Sequence, residues 1–424
     1  MLLRFWVANH ASIRKEQELS LVALDPRPEA PAARTLGSGV QVLPVAGIFG
    51  ANASGKSKIV EALQFMRSAV VLSHQRWLPE QRIRRQPFLL DQSSRTRPSR
   101  FEVEIALGGV RYRYGFTCDD TRFREEWLHA YPKNRRRALF ERADDGSIKF
   151  GEHLVGEREA IRRVTRSNSL FLSAAAANNH EQLSEVHRWF AEDLRVAVAG
   201  NAGGRLGETL HIYKEHERDD VLRLLRFADL GIDEVEIGTR DVSDAERRLI
   251  TDLIRLRLPD GEKFDPASVE LSKISLRHGT QFLPIEAESS GTRTWLELIG
   301  PIVSTLRHGD LLVVDELDAR LHPSLAGHLV KLFQDPDTNP RGAQLVFNTH
   351  DVTLLGPNTP ARLRRDEIWL TEKDPKTGAT RLFPLTEYRI RDSLDNVERA
   401  YLRGRYGAVP FIDETLVVAL GEAR

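Results

Sequence analysis

The stretch from Gly50 to Ser57 constrains the fold of this chain more than any other, because it fits the phosphate-binding pattern G-x-x-x-x-G-K-[ST]. A short apolar segment, 43–49, runs into it as a strand would, and residues 56–70 carry apolar side chains at helical spacing. Strand, glycine loop and helix together place backbone N–H groups and a helix N-terminus around one anion. Taken alone, the stretch also fits an ordinary glycine turn before a helix.

Each residue type in this loop has an expected task. Gly50 and Gly55 are needed because a Cβ would block the backbone geometry there. Lys56 is expected to reach the β- and γ-phosphates of ATP, and the hydroxyl of Ser57 is expected to ligate Mg²⁺. The predicted nucleotide-binding residues of the loop are Gly50, Asn52, Ala53, Ser54, Gly55, Lys56, Ser57 and Lys58.

Composition narrows the class of protein. The 424 residues leave room for two or three domains, and 61 basic against 61 acidic residues create no net field toward nucleic acid or an anionic membrane. The single cysteine, Cys118, rules out an intrachain disulfide and fits a reducing compartment. No apolar run approaches the roughly 18–20 residues that span a bilayer, and the N-terminus lacks a secretory apolar region. We therefore expect a cytoplasmic protein with no membrane segment.

A second motif lies at residues 310–316, an apolar run that ends in two carboxylates. Such a run is typical of a strand buried on both faces of a parallel sheet. Asp315 is expected to hold Mg²⁺ through water. Glu316, one residue on, points the other way and is expected to orient and deprotonate the attacking water. An ordinary core strand that ends at an acidic turn is the alternative interpretation.

The spacing of the two motifs separates the phosphate-loop classes. Asp315 lies 259 residues after Lys56, whereas ring-forming ATPases of the AAA+ type usually place the two motifs within several tens of residues. The base-reading GTPase signature Asn-Lys-x-Asp is absent from the sequence. A wide separation filled by strands and then helices resembles the ABC-type ATPases, whose heads are split around an insertion.

Residues 288–292, Glu-Ser-Ser-Gly-Thr, support this resemblance. They lie about 24 residues before the acidic motif and precede a segment with helical apolar spacing. They keep the serine and the glycine of the transporter signature Leu-Ser-Gly-Gly-Gln but depart at its first, third and fifth positions. The resemblance implies that Ser289, Ser290 and Gly291 contact the γ-phosphate bound by a second subunit, so that two chains enclose two ATP molecules.

Three further positions follow from the same resemblance. Residues 344–350 form a buried-strand pattern ending in His350, which resembles the switch histidine at the γ-phosphate, although a histidine at a strand end is usually structural. Residues 317–323 resemble the D-loop that crosses the dimer interface, and Asp318 is counted among the nucleotide-binding residues. The glutamine that senses Mg²⁺ is assigned to Gln86, while Gln81 and Gln92 compete and spacing does not decide between them.

Taken together, the chain resembles the AAA15 or OLD-like family of ABC-type ATPases, relatives of AbiL- and RloA-type phage-defence proteins and more remotely of RecF, SMC and Rad50. The resemblance covers nearly the whole chain and implies an α/β P-loop fold of ABC type. Its mixed sheet would be joined by an antiparallel β subdomain and an inserted helical region. The resemblance is carried by the phosphate loop, Phe5, 9–13, 87–90, 168–173, 229–232, 288–292, 315–316, 350–351 and 363–366.

The order of patterns along the chain suggests three segments. Residues 1–151 and 266–424 form the two parts of the ATPase head, and 152–265 form a helical insertion. The first part holds a hairpin within residues 1–25 and a second around Gly108-Gly109. The insertion is inferred from charged segments with helical apolar spacing at 156–167, 182–194, 219–229 and 243–257.

Residues 76–100 hold seven arginines against two acids, and residues 133–137 form a second basic cluster. A solvated connecting segment is the plainer interpretation of such a surplus. A contact for nucleic acid or for an acidic partner is the functional interpretation, and both remain open at this stage.

The first hypothesis is a Mg²⁺-dependent ATPase that closes as a homodimer, or a higher even oligomer, around ATP and gates a separate effector in anti-phage defence. Only 352–424 follow the switch histidine, too few for the TOPRIM nuclease domain of full-length OLD proteins, so a separately encoded TOPRIM-like or RloB-like partner is expected. The alternative is a DNA-binding ATPase of RecF or SMC type in repair or chromosome maintenance. The third hypothesis is a scaffold or sensor in which ATP acts as a structural clamp. The nucleotide-binding subunit of an ABC transporter is the hypothesis that the sequence supports least.

Overall fold

The structure, a computed structural model, describes residues 1–24, 34–35, 39–198, 202–215, 218–240, 271–389 and 396–410, with single positions at 243, 245–246, 248–249 and 251. The chain divides into two units. The first comprises Met1–Asn201 and Ser304–Arg424, and the second comprises Ala202–Val303.

The elements are numbered in chain order. The strands are β1 Leu2–Ala8, β2 Gln17–Ser20, β3 Arg34–Thr35, β4 Gln41–Val42, β5 Val45–Gly50, β6 Ser99–Leu107, β7 Val110–Cys118, β8 Phe123–Tyr131, β9 Arg137–Arg142, β10 Ile148–Phe150, β11 Leu194–Ala197, β12 Glu234–Arg240, β13 Leu271–His278, β14 Gln281–Pro284, β15 Leu311–Val314, β16 Gln344–Asn348, β17 Ile368–Lys373 and β18 Thr380–Pro384. The α-helices are α1 Lys56–Leu72, α2 Gln92–Thr96, α3 Glu159–Val164, α4 Phe171–Ala177, α5 Glu181–Arg188, α6 Ala202–Lys214, α7 Arg218–Phe227, α8 Ser290–His308, α9 Pro323–Gln334 and α10 Val397–Leu402.

A six-stranded sheet in the order β11-β15-β16-β5-β17-β18 carries the candidate site. Its first five strands run parallel, and β18 pairs antiparallel with β17. Strands β15, β16 and β5 are buried at every residue, which explains why the sequence shows them as unbroken apolar runs. Because parallel strands end at one edge of a sheet, the segments that follow these three strands meet there.

A seven-stranded antiparallel sheet in the order β10-β9-β8-β7-β6-β1-β2 lies in the same unit. The two predicted hairpins are confirmed, since β1 pairs with β2 and β6 pairs with β7. The second turn needs glycine, because Gly108 and Gly109 have φ angles of 53° and 78°. Phe5, Phe101 and Phe116 on one face of the sheet are fully buried in the core. The predicted mixed sheet and antiparallel subdomain of the α/β fold are thereby confirmed.

The second unit, described by itself, combines helices with a small sheet. It holds α6, α7, the antiparallel strands β12-β13-β14 and the first part of α8. The segment 219–229 predicted as helical holds all of α7 but its first residue, whereas most of 243–257 lies outside the described residues. The predicted segments 156–167 and 182–194 hold α3 and most of α5, and both segments belong to the first unit. These two units divide after Asn201 and after Val303, and the division into segments 1–151, 152–265 and 266–424 stays a prediction.

None of the helices within the described ranges is long and apolar enough to cross a membrane.

Candidate nucleotide site

The glycine loop joins β5 to α1 at the edge of the parallel sheet. A Cβ on Gly50 would stand 2.4 Å from Thr371 Oγ1, and one on Gly55 would stand 2.1 Å from Thr380 Oγ1. Gly55 also has a φ of 105°, in the region that favours glycine. Both glycines are therefore required by the close approach of the hairpin β17–β18 as well as by the shape of the loop.

Two threonines of that hairpin hold the loop through hydroxyl groups. Thr371 Oγ1 lies 2.7 Å from Ser54 Oγ and donates to the carbonyl of Phe49 at 3.3 Å. Thr380 Oγ1 donates to the Ser54 carbonyl at 2.8 Å and lies 2.7 Å from Ser12 Oγ. We call Ser12, Ser54, Thr371 and Thr380 the hydroxyl brace. It fixes the loop between segments more than 300 residues apart in the chain.

Replacing Thr380 with valine is expected to lower the free energy of unfolding by about 1–2 kcal/mol. Valine keeps the shape of the side chain, which is 3% exposed, but leaves the Ser54 carbonyl and the Ser12 hydroxyl without this partner. Urea unfolding followed by tryptophan fluorescence measures the change. The matched control is Thr380→Ser, which keeps the hydroxyl and should stay closer to the unchanged protein. An unaltered urea midpoint for Thr380→Val would show that the brace contributes nothing to stability.

Lys56 is the buried cation of the loop. Its Nζ donates to the carbonyls of Gly50 at 2.7 Å and Ala51 at 3.1 Å, and lies 3.3 Å from His350 Nδ1. Burial lowers the pKa of Lys56 from 10.5 to about 8. The opposing influence comes from the carboxylates of Asp318, Glu316 and Asp315, which raise the pKa of the ammonium but do not cancel the effect of burial.

The remaining loop residues differ in their surroundings. Asn52 and Ala53 are exposed at the tip, where Ala53 has a φ of 61°. Ser57 is half-buried in the first turn of α1. Lys58 makes an ion pair with Glu61 at 2.7 Å and therefore already has an acidic partner within its own helix. Of the predicted loop residues, Gly50, Ser54 and Lys56 are buried.

The acidic motif follows β15 at the same edge, and Asn348 of β16 holds it. Asn348 Nδ2 donates to Asp315 Oδ1, and Asn348 Oδ1 accepts a hydrogen bond of 2.6 Å from the Glu316 amide. Asn348 itself is fully buried. Glu316 has a φ of 58°, a left-handed conformation that is uncommon for glutamate, and its side chain is exposed. Asn348 was not singled out from the sequence, although it stands two residues before His350.

Asp318 organises the segment that carries the histidine. Its Oδ1 accepts 2.6 Å and 3.1 Å hydrogen bonds from Thr349 Oγ1 and from the amide of His350. The side chain of His350 is exposed and meets the glycine loop through Lys56. The structure thus brings the predicted residues Lys56, Asp315, Glu316, Asp318 and His350 together in one cluster.

The glutamines have different surroundings. Gln86 is exposed and lines a groove of about 500 Å³ together with Ser12 and Lys58, on the flank of the glycine loop. Gln81 uses its side-chain oxygen to accept a hydrogen bond from the Leu78 amide. Gln92 begins the short helix α2. Of the three, only Gln86 lines this groove, so it stays our prediction for the glutamine that senses the metal.

The metal-binding potential of the cluster is limited to a few oxygen atoms. Among the described residues, no group of three or more histidine, cysteine, aspartate or glutamate side chains could enclose a metal ion. The candidates are the Ser57 hydroxyl and the Asp315 carboxylate. One hydroxyl and one carboxylate suit Mg²⁺, which retains several waters and usually takes only one or two carboxylates besides phosphate oxygens.

The signature segment lies in the second unit, at the start of α8. Ser289 caps the helix, since its Oγ accepts a 3.0 Å hydrogen bond from the Thr292 amide. Ser289 and Ser290 are exposed and Gly291 is half-buried. The helix N-terminus therefore presents exposed serines and the positive end of its dipole, which favours an anion.

The arginines of residues 76–100 have mostly internal partners. Arg85, whose side chain is 2% exposed, bonds Asp120 and the carbonyls of Arg95 and Arg97. Arg82 pairs with Asp120 at 3.1 Å. These contacts favour the plainer interpretation, in which the basic segment 76–100 anchors a connection rather than forming a phosphate-binding surface.

Comparison with known proteins gives one family and several solved structures. The family model described as "AAA domain, putative AbiEii toxin, Type IV TA system" matches residues 45–356. No curated protein matches the chain. An Smc head bound to the C-terminal winged-helix domain of ScpA is 12% identical, with a TM-score of 0.47 over 93% of this chain and 99% of that one. The SMC head domain from Thermotoga maritima is also 12% identical, with a TM-score of 0.38 over 92% and 99%.

Proposed function

Because the chain belongs to the AAA-domain family whose model spans residues 45–356, we propose that it is a Mg²⁺-dependent ATPase that dimerises head to head around ATP. The observation that carries the proposal is the meeting of three segments at one edge of the parallel sheet. Lys56 follows β5, Glu316 follows β15 and His350 follows β16. Asn348 joins the acidic segment to the strand of the histidine. Phosphoryl transfer depends mainly on positioning and charge stabilisation, and this cluster offers groups for both.

Three residues of the chain have separate roles in the proposed hydrolysis of ATP. Lys56 exchanges its bonds to loop carbonyls for bonds to the phosphate oxygens of ATP, where its charge opposes the negative charge that develops on the transferred group. Glu316 orients the attacking water in line with the leaving group and accepts a proton from that water. His350 contacts the γ-phosphate, and Asp318 positions the backbone of that histidine.

Mg²⁺ would be held by Ser57 and Asp315, and when bound it supplies positive charge that neutralises phosphate oxygens. Asn348 donates to one oxygen of Asp315 and so keeps the carboxylate in a fixed orientation. Gln86 stands on the flank of the glycine loop as the residue that would sense the metal.

Binding of ATP is expected to weaken as the pH rises through about 8. The pKa of Lys56 is lowered to about 8 without phosphate, and a phosphate beside the ammonium raises it, so ATP selects the protonated form. The affinity for ATP is therefore greatest at pH values below the Lys56 pKa of about 8 and declines above that value. Calorimetry at pH 7.5 and pH 9 should give a Kd that is on the order of tenfold weaker at the higher pH.

Two variants identify the titrating group. Lys56→Met should bind ATP weakly and with little change over this pH range. Lys331→Met, which removes an exposed lysine of α9, should follow the unchanged protein. Equal pH dependence in Lys56→Met would assign the titration to another group.

Dimerisation enters the proposal through the signature segment. Ser290 and Gly291 at the N-terminus of α8 would meet the γ-phosphate held by the glycine loop of the second subunit, so that each nucleotide lies between two chains. The exposed serines and the helix dipole support this, because helix N-termini are sites at which phosphates bind.

We also propose that ATP-driven closing and opening gates a separately encoded effector, a TOPRIM-like or RloB-like nuclease, in anti-phage defence of the OLD-like kind. Phosphate release by the purified chain tests the ATPase, and co-expression with the product of the adjacent gene tests the gating. Turnover that is absent alone and appears with that product would place the effector in the active complex. Absence of turnover under both conditions would reduce the chain to an ATP-binding sensor.

The alternative, a DNA-binding ATPase of RecF or SMC type, draws no support from the basic segment 76–100. Its most buried arginine, Arg85, is committed to Asp120 and backbone carbonyls. DNA affinity that falls steeply with salt would nevertheless restore this alternative, because phosphate contacts release counterions.

A further inference from the structure

A groove in the first unit shares no residue with the nucleotide site. It lies between helix α9 and the segment 357–362 and has a volume of about 840 Å³. Ser324, His328 and Lys331 line one wall, and their spacing of four and three residues places them on one face of α9. Sites for small molecules occupy roughly 300–1,000 Å³, so the groove has the volume that such a ligand needs.

The two walls of the groove meet closely at Gly327, which is buried. A Cβ at this position would stand 2.8 Å from Thr359 Oγ1 and 3.0 Å from Pro360 Cδ. A larger residue would therefore push the helix away from the segment. Because glycine sets this close approach, the walls are in place before a ligand binds, and binding costs less ordering.

Two cations line the groove without an acidic partner. Lys331 and Arg362 are both exposed, and among the residues that the structure describes neither side chain makes a hydrogen bond or an ion pair. Of the lining residues, only Asp335 is acidic, and its Oδ1 accepts a 3.0 Å hydrogen bond from the Asp337 amide. The charges of Lys331 and Arg362 are therefore available to an anion.

A buried amide adds a group that can orient a ligand. Gln334 lines the groove although it is only 3% exposed. Its Nε2 donates to Glu367 Oε2 at 3.0 Å, whereas its Oε1 accepts no hydrogen bond from any described residue. The bond to Glu367 holds the amide in place, so its carbonyl oxygen can accept a hydrogen bond from a hydroxyl or amino group of a ligand.

The carboxyl group of Glu367 does not oppose an anion in the groove. Glu367 is fully buried, and burial raises its pKa from 4.5 to about 8. At pH 7 this carboxyl group is therefore mostly protonated and adds little negative charge beneath Gln334. The charged groups that line the groove at neutral pH are two cations and one carboxylate.

We propose that this groove binds a small phosphate monoester that also carries a hydroxyl or amino group. Arg362 and Lys331 would bind the phosphate, and Gln334 would accept a hydrogen bond from the second group. A phosphate monoester has a charge of about −1.5 to −2 at pH 7, so it can use both cations, whereas one carboxylate brings a single charge. The planar guanidinium of Arg362 suits paired hydrogen bonds to phosphate oxygens, and Lys331 adds a compact charge.

Glycerol phosphate and ethanolamine phosphate are the probes, and calorimetry with the full chain measures their binding. Glycerol, which lacks the phosphate, should not bind, and inorganic phosphate, which lacks the second group, should bind more weakly than either probe. Arg362→Gln and Lys331→Gln should each weaken binding of the probes by about tenfold. Both residues are exposed, so the variants should fold, and thermal unfolding checks this.

Three further variants locate the binding. Gln334→Met removes the amide and should weaken binding of the probes but not of inorganic phosphate. Lys56→Met removes the cation of the glycine loop and should leave binding of the probes unchanged, because that loop does not line the groove. The control Arg76→Gln alters an exposed arginine of the segment 76–100 and should bind as the unchanged protein does.

Absence of binding by both probes, equal binding of glycerol, or an equal loss in Arg76→Gln would overturn the proposal. Binding that is lost in Lys56→Met but kept in Arg362→Gln would place the phosphate in the glycine loop and would overturn it as well. Tighter binding of glutarate than of either probe would contradict phosphate as the anion.

Discussion

Replacing Glu316 with glutamine is expected to lower phosphate release from ATP by about a hundredfold to a thousandfold, while ATP binding stays close to that of the unchanged protein. Loss of a general base typically costs this much in rate, and glutamine is too weakly basic to take the proton of the attacking water. The substitution preserves the size of the side chain. It also preserves the hydrogen bond to Asn348 Oδ1, because residue 316 makes that bond with its backbone amide. The fold should therefore survive.

Steady-state phosphate release and equilibrium ATP binding separate the two effects. Size-exclusion chromatography with light scattering should show a dimer of Glu316→Gln in the presence of ATP and Mg²⁺, because the dimer that ATP closes stays closed when the ATP is not hydrolysed. The matched control is Glu387→Gln, which alters a half-exposed glutamate paired with Arg381. Undiminished turnover in Glu316→Gln would remove Glu316 from the role of base.

The parts of the site that were predictable share one physical origin. A strand buried on both faces of a parallel sheet must be apolar throughout, and its polar successor must emerge at the edge of that sheet. The apolar runs before Gly50, Asp315 and His350 therefore predict both a buried strand and the place of a functional residue at its end. Local patterns of this kind can be found without knowledge of any distant contact.

The contacts that hold those groups were not predictable in the same way. Thr371 and Thr380 reach the glycine loop from more than 300 residues away, and no local pattern marks a threonine as a partner for Ser54. Asn348 lay within a recognised run but carried no signal beyond its type. Single polar residues that join two motifs become visible only when the strands are placed side by side.

Composition alone left two interpretations of the basic segment 76–100 open. Its surplus of arginine is real, yet Arg85 is consumed by Asp120, which stands 35 residues further along the chain. The strand β12, Glu234–Arg240, was missed, because it lies within the charged stretch that suggested helices. Charge counted along a sequence does not tell which charges are already paired in space.

Replacing Ser290 with arginine is expected to abolish ATP-dependent dimerisation and to reduce turnover on the order of a hundredfold, comparable to the loss of a transition-state hydrogen-bond donor. A long side chain at the exposed start of α8 would occupy the space of the γ-phosphate from the second subunit. The helix itself should remain intact, since its cap is the neighbouring Ser289. Thr280→Arg, in an exposed turn of the same unit, controls for the added side chain.

Mixing two inactive variants then asks whether the site is shared between chains. Lys56→Ala lacks the glycine-loop cation, and Ser290→Arg lacks a functional signature. In a head-to-head dimer of the two, one site has both defects and the other has neither. Because neither variant is expected to close around ATP with itself, the closed dimers are the mixed ones, and equal amounts should recover up to about half of the unchanged turnover, since each mixed dimer has one intact site of two. No recovery, in a mixture shown to exchange subunits, would mean that each chain completes its own site, and the two-chain mechanism would fail.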